Sequence, residues 1–559
     1  MTNPITRPID QPTNRPTVTV ETALWALVVV VALTLRLTHL DAAPLNSHEA
    51  HEAMLAWRAV TGRGMPEGDY SPLLFAANAL LFFLCGASDA LARLWPALLG
   101  GALALVPFLF RRRVGRVGAL VAGLYLAISP TVLFASRQLD GAILAAAGGM
   151  TFLGGIVRFS DAEKRCWLTL SSVGLALAVT ANSSAYGLLL AMGLAWLSLV
   201  WAWPDEKARR LTESLRPHLG HMLVVFACTG LALSTGLGWN PAGLGAAGGL
   251  LSAWLARFGP VSNPAASPFT LIAVYEPLAL LFGLGGLTWA VRRGHRFGLL
   301  LGLWAGLGAL LLALTPGRSP TDTLWVVLPL ALLAGLALES LVRSLRTRRV
   351  QQSSEWLYVP VVLVLWIYLY LRLVRYATVG DSLDLYLASL SLVLQGLMAV
   401  VFALGLGTDG VLRVGVVGVG VVLLAITLSA GWGIAYVRPA DPQELLVHEP
   451  TAIEVRDLVQ TLRDLSWRRT GAPTTLPFTF EAAPDSVMAW YLRDFDAARR
   501  VESLAGLNTG EIESVVVTSQ RNWMVPDDVS YVGQDFVLRR SWNPSEITCV
   551  WSWPPQCSV

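Results

Sequence analysis

The residues best suited to chemistry lie in one short stretch, "NSHEAHE" at 46–52. It contains His48, Glu49, His51 and Glu52, in a chain of 559 residues with seven histidines and 14% charged residues. A carboxylate or an imidazole there can take a proton from an attacking hydroxyl, so these side chains are candidate bases. The histidines are three residues apart, not four as in HExxH zinc enzymes, so no metal site is predicted. There are two alternatives. His48, His51 and Glu52 share a helix face that could bind a divalent cation, or the stretch is a solvated helix start capped by Ser47.

Two arginines are candidates for binding a phosphate. Arg137 lies in "SRQLDG", and Arg58 follows the first stretch by six residues. An arginine at the depth of lipid headgroups binds phosphate through charge-assisted, forked hydrogen bonds. The alternative for Arg137 is an anchor that reaches toward the headgroups. The polar residues predicted to shape the same site are Asp140, Asp69, Tyr70 and His51, with a helix cap as the alternative for Asp140.

The composition indicates a membrane protein with many spans. Hydrophobic residues make up 54% of the chain, and the mean hydropathy is +0.56. Soluble domains average roughly 45–50% apolar and about 25% charged residues. The net charge of +3 is too small to predict a nucleic-acid partner. The five cysteines form no CxxC pair, which argues against a zinc ribbon.

Thirteen apolar segments are long enough to be predicted as membrane helices. They are 22–40, 91–110, 116–135, 141–158, 166–181, 185–203, 220–237, 271–291, 297–314, 323–342, 356–376, 384–406 and 413–436. Basic clusters at 111–116, 158–165, 205–218, 292–296 and 343–349 predict which loops are cytoplasmic. The apolar segment 71–86 is only sixteen residues long, so we place it at the membrane interface. The N-terminus is then cytoplasmic, and the 41–90 loop and the C-terminus lie outside.

Three regions follow from these patterns. Residues 1–20 are predicted to be a disordered cytoplasmic tail, 21–436 the transmembrane domain with a large outer loop at 41–90, and 437–559 a small extracytoplasmic α/β domain. Strands are expected in "LPFTF", "SVVVTS" and "DFVLRR", and helices at 450–466 and 485–493. Cys549 and Cys557 lie in the last region, where a disulfide between them or two free thiols are both compatible with the spacing.

Several longer motifs resemble the GT-C superfamily of membrane glycosyltransferases. They include "GASDALARLWPALLGG", "FASRQLDGAIL", "GWNPAGLGAAGGLLSAWLARFGP", "YEPL", "SPTDTLWVVLPLALLAG" and "MAWYLRDF". The resemblance covers nearly the whole chain. It extends to the protein O-mannosyltransferases and the aminoarabinose transferases of lipid A, and in particular to the bacterial and archaeal flippase-activity-associated proteins. It implies an all-α polytopic GT-C fold of about thirteen membrane helices, with the small α/β domain at the C-terminus.

The resemblance also assigns roles to residues. The family has an Asp-Glu pair in the first outer loop that serves as base or metal ligand. Here "SHEA" keeps Glu49 and places His48 where the aspartate belongs. The resemblance therefore implies Glu49 or His48 as the catalytic base, with Glu52 one turn farther on as the fallback. A second family motif, Ser-Arg followed by Asp, corresponds to Ser136, Arg137 and Asp140, one residue shorter than usual.

The implied function is inverting transfer of a sugar from a polyprenyl-phosphate donor at the outer face of the cytoplasmic membrane. The acceptor is a glycan, a lipid or a protein. An alternative from another class is a catalytically inactive relative that binds the lipid carrier or scaffolds a membrane complex. A transporter is a weaker alternative, because the polar groups gather on one face and not at the midplane. Glu276 and Arg318, which also lie in predicted outer regions, are expected to be structural.

Overall fold

The structure is a computed structural model that describes residues 19–66, 68–202, 206–261, 265–347, 358–504, 513–519 and 532–540. The predicted N-terminal tail lies almost wholly outside these residues, and so do Cys549 and Cys557. Helices dominate the described residues, and a small sheet lies near the C-terminus.

The helices before residue 203 include the segments that carry the "NSHEAHE" stretch and Arg137. They are α1 (Val20–Leu37), α2 (Ser47–Val60), α3 (Pro72–Cys85), α4 (Asp89–Ala92), α5 (Leu94–Leu103), α6 (Arg111–Val114), α7 (Arg116–Ile128), α8 (Pro130–Ser136), α9 (Ala142–Ala162), α10 (Arg165–Ala181) and α11 (Ser184–Ala202). Those that follow are α12 (Glu206–Leu215), α13 (Leu219–Ser234), α14 (Gly243–Ala256), α15 (Pro268–Tyr275), α16 (Pro277–Arg293), α17 (Arg296–Ala313), α18 (Leu324–Thr347), α19 (Tyr358–Val379), α20 (Ser382–Leu406), α21 (Thr408–Trp432), α22 (Glu454–Thr470) and α23 (Val487–Leu492).

Each of the thirteen predicted spans falls on helical structure. Among the described residues, ten helices are long and apolar enough to cross a membrane, and two bent pairs, α7 with α8 and α15 with α16, raise the number to twelve. The thirteenth predicted span is α10, which has only 17 residues. Length and composition thus identify ten to twelve spans among the described residues, and the crossing of the membrane by α10, which covers the whole predicted segment 166–181, stays a prediction.

Small residues bring α10 against α9 along its whole length. A side chain at Gly148 would collide with the backbone of Gly174 and Ala178, and one at Gly155 with that of Trp167 and Ser171. The two helices therefore run antiparallel with their backbones in close contact, as small residues allow between membrane helices. This pairing holds α10 at the same depth as the 21-residue α9.

The two bent helix pairs are fastened to each other by a buried carboxylate. Glu276 lies at the 100° bend between α15 and α16, where the proline that follows it starts a new helix. It accepts hydrogen bonds from Ser129 Oγ (2.6 Å), the Thr131 amide (2.9 Å) and the Tyr125 hydroxyl. The first two donors lie at the start of α8, where a negative charge is favourable to the helix dipole. Glu276 thus fixes α8, which ends next to Arg137 and Asp140.

Two short apolar helices flank the C-terminal end of α13. The predicted interfacial segment 71–86 forms α3, whose 14 residues are too few to span the bilayer. A second 14-residue helix, α14, occupies a region that the sequence predicted as loop. Phe75 of α3 stacks on Trp239 just before α14, with ring centroids 5.7 Å apart. These contacts join the 41–90 loop to the segment that leads to Arg257.

The C-terminal region is a small α/β unit, as predicted. Three parallel strands, β1 (Phe478–Glu481), β2 (Ala498–Val501) and β3 (Val516–Val517), lie in the order β2-β1-β3, with α22 and α23 beside them. Its core contains Leu462, Phe478 and Phe495. The strand expected in "DFVLRR" is wrong: within the described residues this segment makes a single isolated bridge, between Arg539 and Thr451. The strand β2, in "AARRV", was not predicted, because its two arginines gave no apolar alternation.

One aspartate fastens this unit to the 41–90 loop. Asp89 accepts hydrogen bonds from Trp490 Nε1 (2.8 Å), the Tyr491 hydroxyl (2.8 Å) and Arg456 Nη2 (3.1 Å). The Leu45 amide in turn donates to the Tyr491 oxygen (2.9 Å). Asp89 therefore couples the α/β unit to the segment that immediately precedes α2.

Candidate active site

A cavity of about 390 Å³, which we call the central cavity, lies where six segments meet. These segments are the start of α2, the turn between α8 and α9, the break between α10 and α11, the chain between α14 and α15, the loop before α18, and the chain before α22. The ionisable residues that line it are His48, Glu49, Asp140, Arg257, Arg318, Asp322, His448 and Glu449. Three of the predicted site residues, His48, Glu49 and Asp140, therefore come together there.

Glu49 lines this cavity and is paired with the buried Arg93. Its side chain is only 1% exposed, and the Arg93 guanidinium donates to both of its oxygens, at 2.8 and 2.7 Å. The amides of Asn46 (3.0 Å) and Leu139 (2.7 Å) donate to the same carboxylate. Four protein donors thus occupy Glu49, which caps α2 and holds the turn after α8 against it.

Arg93 extends this network into the chain before α2. Its remaining N–H groups donate to the carbonyls of Leu40 (2.9 Å), Ala43 (2.8 Å) and Pro44 (3.1 Å). Each charge of this buried ion pair needs the other, because an unpaired charge in the interior is strongly destabilising. The Glu49–Arg93 pair therefore sets where His48, the neighbouring residue, enters the cavity.

Asp140 ties three of the segments together at the cavity wall. Asn182 Nδ2 (2.6 Å) and the Ala142 amide (3.0 Å) donate to one of its oxygens, and Thr321 Oγ1 (2.7 Å) donates to the other. The side chain is partly exposed to the cavity. The Ala142 contact agrees with the helix cap considered for this residue, and the other two contacts orient it toward the loop before α18.

Two arginines that the sequence did not assign to the site also line the central cavity. Arg257 pairs with the buried Asp322 (2.9 Å) and donates to the Gly317 carbonyl (3.0 Å). Arg318 donates to the carbonyls of Ala265 (2.9 Å), Thr315 (3.3 Å) and Ala266 (3.4 Å). None of these acceptors of Arg318 is a carboxylate. Within the described residues, Arg318 thus brings to the cavity a positive charge that no ion pair neutralises.

His48 and Glu52, one helical turn apart on α2, have different surroundings. His48 is exposed at the cavity. Glu52 is 3% exposed, its Oε1 accepts from the Ser71 amide (3.0 Å), and its Oε2 is buried without a hydrogen-bond partner. Burial raises the pKa of the Glu52 carboxyl, against the opposing effect of His48. Glu52 does not line the central cavity.

The structure places Arg137 away from the central cavity. Its guanidinium donates to four carbonyls at the end of α1, those of Leu35 (3.1 Å), Arg36 (3.2 Å), Thr38 (2.7 Å) and His39 (2.6 Å). It also lies 4.9 Å from the centre of the Tyr436 ring. The side chain is 7% exposed. In this conformation Arg137 caps the C-terminus of α1, where a cation is favourable to the helix dipole.

The remaining predicted site residues lie on other surfaces. Arg58 pairs with Asp485 (2.9 Å), and His51 lies 3.9 Å from the same carboxylate. Tyr70 is buried and accepts from Asn240 Nδ2 (2.9 Å), and Asp69 is exposed. His48, His51 and Glu52 were expected to share one helix face, but they have three different surroundings: the central cavity, Asp485 and the buried interior. Among the described residues, no group of three or more His, Cys, Asp or Glu side chains could hold a metal ion.

The sequence did contain a signal for Arg257. It is the only charged residue between Trp239 and Thr270. A single charge in so apolar a stretch is costly near a membrane and marks a candidate functional residue. Arg318 was considered but expected to be structural, and its approach to the cavity depends on a loop whose path the sequence does not determine. The sequence around His448 and Glu449 did not indicate a site, apart from the fact that histidine is rare in this chain.

Comparison with known proteins gives likenesses of structure alone. No protein-family model matches the sequence, and no curated protein does. ArnT from Cupriavidus metallidurans, solved bound to undecaprenyl phosphate, is 19% identical over 89% of this chain and 90% of its own, with a TM-score of 0.55. In the apo state ArnT is 17% identical over 85% of both chains, with a TM-score of 0.56. The apo oligosaccharyltransferase of Archaeoglobus fulgidus gives a TM-score of 0.49, at 11% identity over 86% of this chain and 64% of its own.

The likeness to ArnT agrees with the helical architecture of the described residues. ArnT is a GT-C membrane glycosyltransferase, and its match extends over nearly the full length of both chains. The predicted fold class is confirmed. The chain is a multi-pass membrane protein with the GT-C fold.

Proposed function

We propose that the protein transfers a sugar from a polyprenyl-phosphate donor to an acceptor in the central cavity. The observation that carries this proposal is that a candidate base, His48, lines the same cavity as Arg318, a cation without an ion pair among the described residues. The likeness to ArnT, solved with undecaprenyl phosphate, supports a lipid-linked donor. As the sequence predicts, we place the cavity at the outer face of the cytoplasmic membrane, with a cytoplasmic N-terminus and an extracytoplasmic C-terminus.

The proposed reaction is an inverting displacement. An acceptor oxygen forms a bond to the anomeric carbon of the sugar, and the bond from that carbon to the phosphate oxygen breaks. The phosphate keeps the electron pair and leaves as polyprenyl phosphate, and the acceptor's proton passes to a base. Such a reaction needs a base on one side of the sugar and a cation at the leaving phosphate.

We propose His48 as the base. Glu49, the other predicted candidate, accepts hydrogen bonds from Arg93 and two backbone amides, so both of its oxygens are occupied and its role is to position the cavity wall. His48 is exposed to the cavity, and an imidazole exchanges protons near neutral pH. Asp140 faces the same space and orients the wall through Asn182 and Thr321.

We propose Arg318 for the phosphate, in the role predicted for Arg137 and Arg58. An arginine that already pairs with a carboxylate gains less from a second anion, and Arg58 is paired with Asp485. Arg137 would first have to release its four carbonyls. Arg318 can approach a phosphate while it keeps its backbone contacts, because a guanidinium has five N–H donors.

The test measures release of polyprenyl phosphate by the purified full-length protein in lipid vesicles. A panel of radiolabelled polyprenyl-phosphate hexoses and pentoses serves as donor, and membrane extract supplies the acceptor. We expect His48→Ala to lower the release at least roughly 100-fold, as for loss of a general base. His51→Ala is the matched control, since His51 lies on the same helix but faces Asp485, and it should keep the activity. Release equal to that of protein-free vesicles with every donor would refute the proposal.

A second candidate function is binding of the lipid carrier without catalysis. Two observations favour it: Glu49 is fully occupied by structural contacts, and His48 stands where the resembled family has an aspartate. Saturable binding of polyprenyl phosphate that Arg318→Gln weakens, together with no release from any donor, would support this candidate over transfer.

A further inference from the structure

One residue that lines the central cavity has a backbone conformation that its type rarely adopts. Glu449 has a φ of +51°, in the left-handed region that favours glycine. The next residue is Pro450, and a residue before proline prefers an extended backbone with a negative φ. In the described part of the chain three other non-glycine residues have a positive φ, and each lies within three residues of a helix end: His39, Glu163 and Leu237. No helix ends just before Glu449, so helix capping does not explain its conformation.

Contacts on both sides of Glu449 hold this conformation in place. On one side, Thr451 Oγ1 donates to the Leu45 carbonyl (2.7 Å), in the chain before α2. On the other side, the buried Leu446 packs in one cluster with Tyr275 at the end of α15. An unfavourable backbone conformation persists where the surrounding structure fixes it, and such residues gather at binding sites. The conformation therefore directs attention to what the Glu449 side chain does in the cavity.

Glu449 also has the one cavity carboxylate without a hydrogen-bond donor among the described residues. Four carboxylates line the cavity, those of Glu49, Asp140, Asp322 and Glu449. Glu49 and Asp322 each pair with an arginine, and Asp140 accepts from three donors. Glu449 is exposed, and no hydrogen bond or ion pair joins its side chain to another described residue.

The basic residues around the cavity have other partners. Those that line it or lie beside it without an ion pair to Glu449 are His48, Arg257, Arg318, His448, Arg539 and Arg540. Arg257 and Arg540 pair with other carboxylates, and Arg318 and Arg539 donate to neutral oxygens. The Glu449 carboxylate can therefore accept hydrogen bonds from a ligand without giving up a contact within the described residues.

Glu449 lies on the side of the cavity that holds the proposed base. Its neighbours His448 and Thr451 line a narrow space of about 20 Å³ together with Asn46 and Glu49. The segment 448–451 therefore faces the start of α2, where His48 lies. In the proposed displacement this is the side that receives the acceptor, because the attacking hydroxyl gives its proton to the base.

The chemistry of this side matches an acceptor with more than one hydroxyl. A carboxylate only accepts hydrogen bonds, so Glu449 needs a donor from the ligand. The attacking hydroxyl gives its proton to His48, so the donor to Glu449 is a second group of the acceptor. Gln138, in the same lining, offers amide N–H groups while its oxygen accepts from Asn46 (3.2 Å). Adjacent sugar hydroxyls, which both donate and accept, satisfy both residues.

Building on the proposed sugar transfer, we propose that Glu449 binds the acceptor and that the acceptor is itself a sugar. The hydroxyl next to the attacking one donates to the Glu449 carboxylate. The unfavourable backbone at Glu449 is then the structural requirement for aiming this carboxylate at the acceptor.

The first experiment measures polyprenyl phosphate release by the full-length protein in vesicles, as a function of the amount of membrane extract. We expect Glu449→Gln to raise the amount of extract that gives half-maximal release by about tenfold or more, as for loss of a hydrogen bond to a charged group. The KM for the donor and the Tm should stay at their wild-type values. Glu502→Gln, which changes an exposed carboxylate outside the cavity lining, is the matched control and should leave all three quantities unchanged.

A second variant separates acceptor binding from a structural role. Glu449→Gly removes the carboxylate and also the unfavourable conformation, because glycine adopts a positive φ without steric cost. It should need as much extract as Glu449→Gln and should not lower the Tm. Wild-type half-saturation in both variants, or a fall in Tm that accompanies the loss of acceptor binding, would overturn the proposal.

The last experiment tests the class of the acceptor. Periodate cleaves the bond between carbons that carry adjacent hydroxyls, so extract oxidised with periodate and freed of the reagent should no longer support release. Extract digested with protease should still support it. Purified phosphatidylglycerol, whose headgroup also has adjacent hydroxyls, should not replace the extract. Release that survives periodate, release lost on protease digestion, or release with phosphatidylglycerol would each overturn a sugar acceptor. No release from any donor with untreated extract would instead overturn the proposed function, and this proposal with it.

Discussion

Two segments of the molecule have nearly the same sequence pattern but present opposite charges to the central cavity. The turn after α8 contains Arg137 and Asp140, and the loop before α18 contains Arg318 and Asp322. In the first, the arginine is bound to the end of α1 and the aspartate faces the cavity. In the second, the aspartate is buried against Arg257, and the arginine keeps a charge that no carboxylate among the described residues neutralises.

The difference shows that spacing alone does not decide which charge is available for a ligand. The deciding factor is which partner each side chain finds elsewhere in the chain. The exposed carbonyls at the end of α1 bind Arg137, about a hundred residues away in sequence. Arg257 binds Asp322 across 65 residues. Substitutions that remove one of these contacts at a time therefore test which charge is available for a ligand.

The largest effect is expected from the contact that holds the first segment in place. Glu49→Gln leaves the buried Arg93 without its counterion, and loss of one partner of a buried pair costs about 3–5 kcal/mol. Thermal unfolding in detergent should show a large fall in Tm. Arg343→Gln removes a pair whose arginine is 72% exposed and should change Tm very little. Equal Tm values for the two variants would contradict a structural role for Glu49.

The next effect concerns the second segment. Arg318→Gln should lower kcat/KM for a polyprenyl-phosphate sugar by about 10²–10³, the usual cost of losing one preorganised donor at a developing negative charge. Its Tm should stay close to that of the wild type, because the lost contacts are partly exposed hydrogen bonds to carbonyls. Arg58→Gln, which removes an arginine outside the cavity, is the control and should keep kcat/KM. A normal kcat/KM in Arg318→Gln would remove this arginine from the site.

Arg137→Gln should lower the stability and leave the turnover unchanged, which is the reverse of the result expected for Arg318→Gln. Loss of its contacts to the end of α1 should cost about 1–3 kcal/mol of stability, since charged hydrogen bonds in the interior contribute roughly that much. Turnover per folded molecule should change little. A variant that keeps its Tm and loses donor binding would contradict the structural role of Arg137.

The smallest effect concerns Glu52, which lies behind His48. Burial raises its folded-state pKa, so the stability it contributes is full at acidic pH and is lost as the pH rises through that raised value. Glu52→Gln removes this dependence. Its Tm should equal that of the wild type at about pH 4 and exceed it by a small, increasing amount toward about pH 9. A Tm difference that is the same at every pH would contradict the assignment.

The membrane architecture was largely predictable, because apolar length is a local property of the sequence. All thirteen predicted segments are helical, and two of them, 116–135 and 271–291, are bent at a break that the sequence analysis did not predict. The helix α14 was missed because "GLGAAGGLL" is rich in glycine and looks like a loop. β2 was missed for a similar reason, since a strand with two exposed arginines has no apolar face to detect.

The candidate site was predictable only in part. His48, Glu49 and Asp140 were expected together and do line one cavity. The partners of Arg93 and Arg257 were not predicted, because each arginine pairs with a carboxylate that lies 44 or 65 residues away in the sequence. The direction of Arg137 depends on where α1 ends in space, which no local pattern encodes.

The most direct test of the central claim is a cryo-electron microscopy structure of the full-length protein with polyprenyl phosphate bound. We predict that the phosphate lies in the central cavity with an oxygen about 3 Å from the Arg318 guanidinium. Arg137 should still donate to the carbonyls of Thr38 and His39. A phosphate bound by Arg137, with these carbonyl contacts broken and Arg318 turned away, would contradict the account.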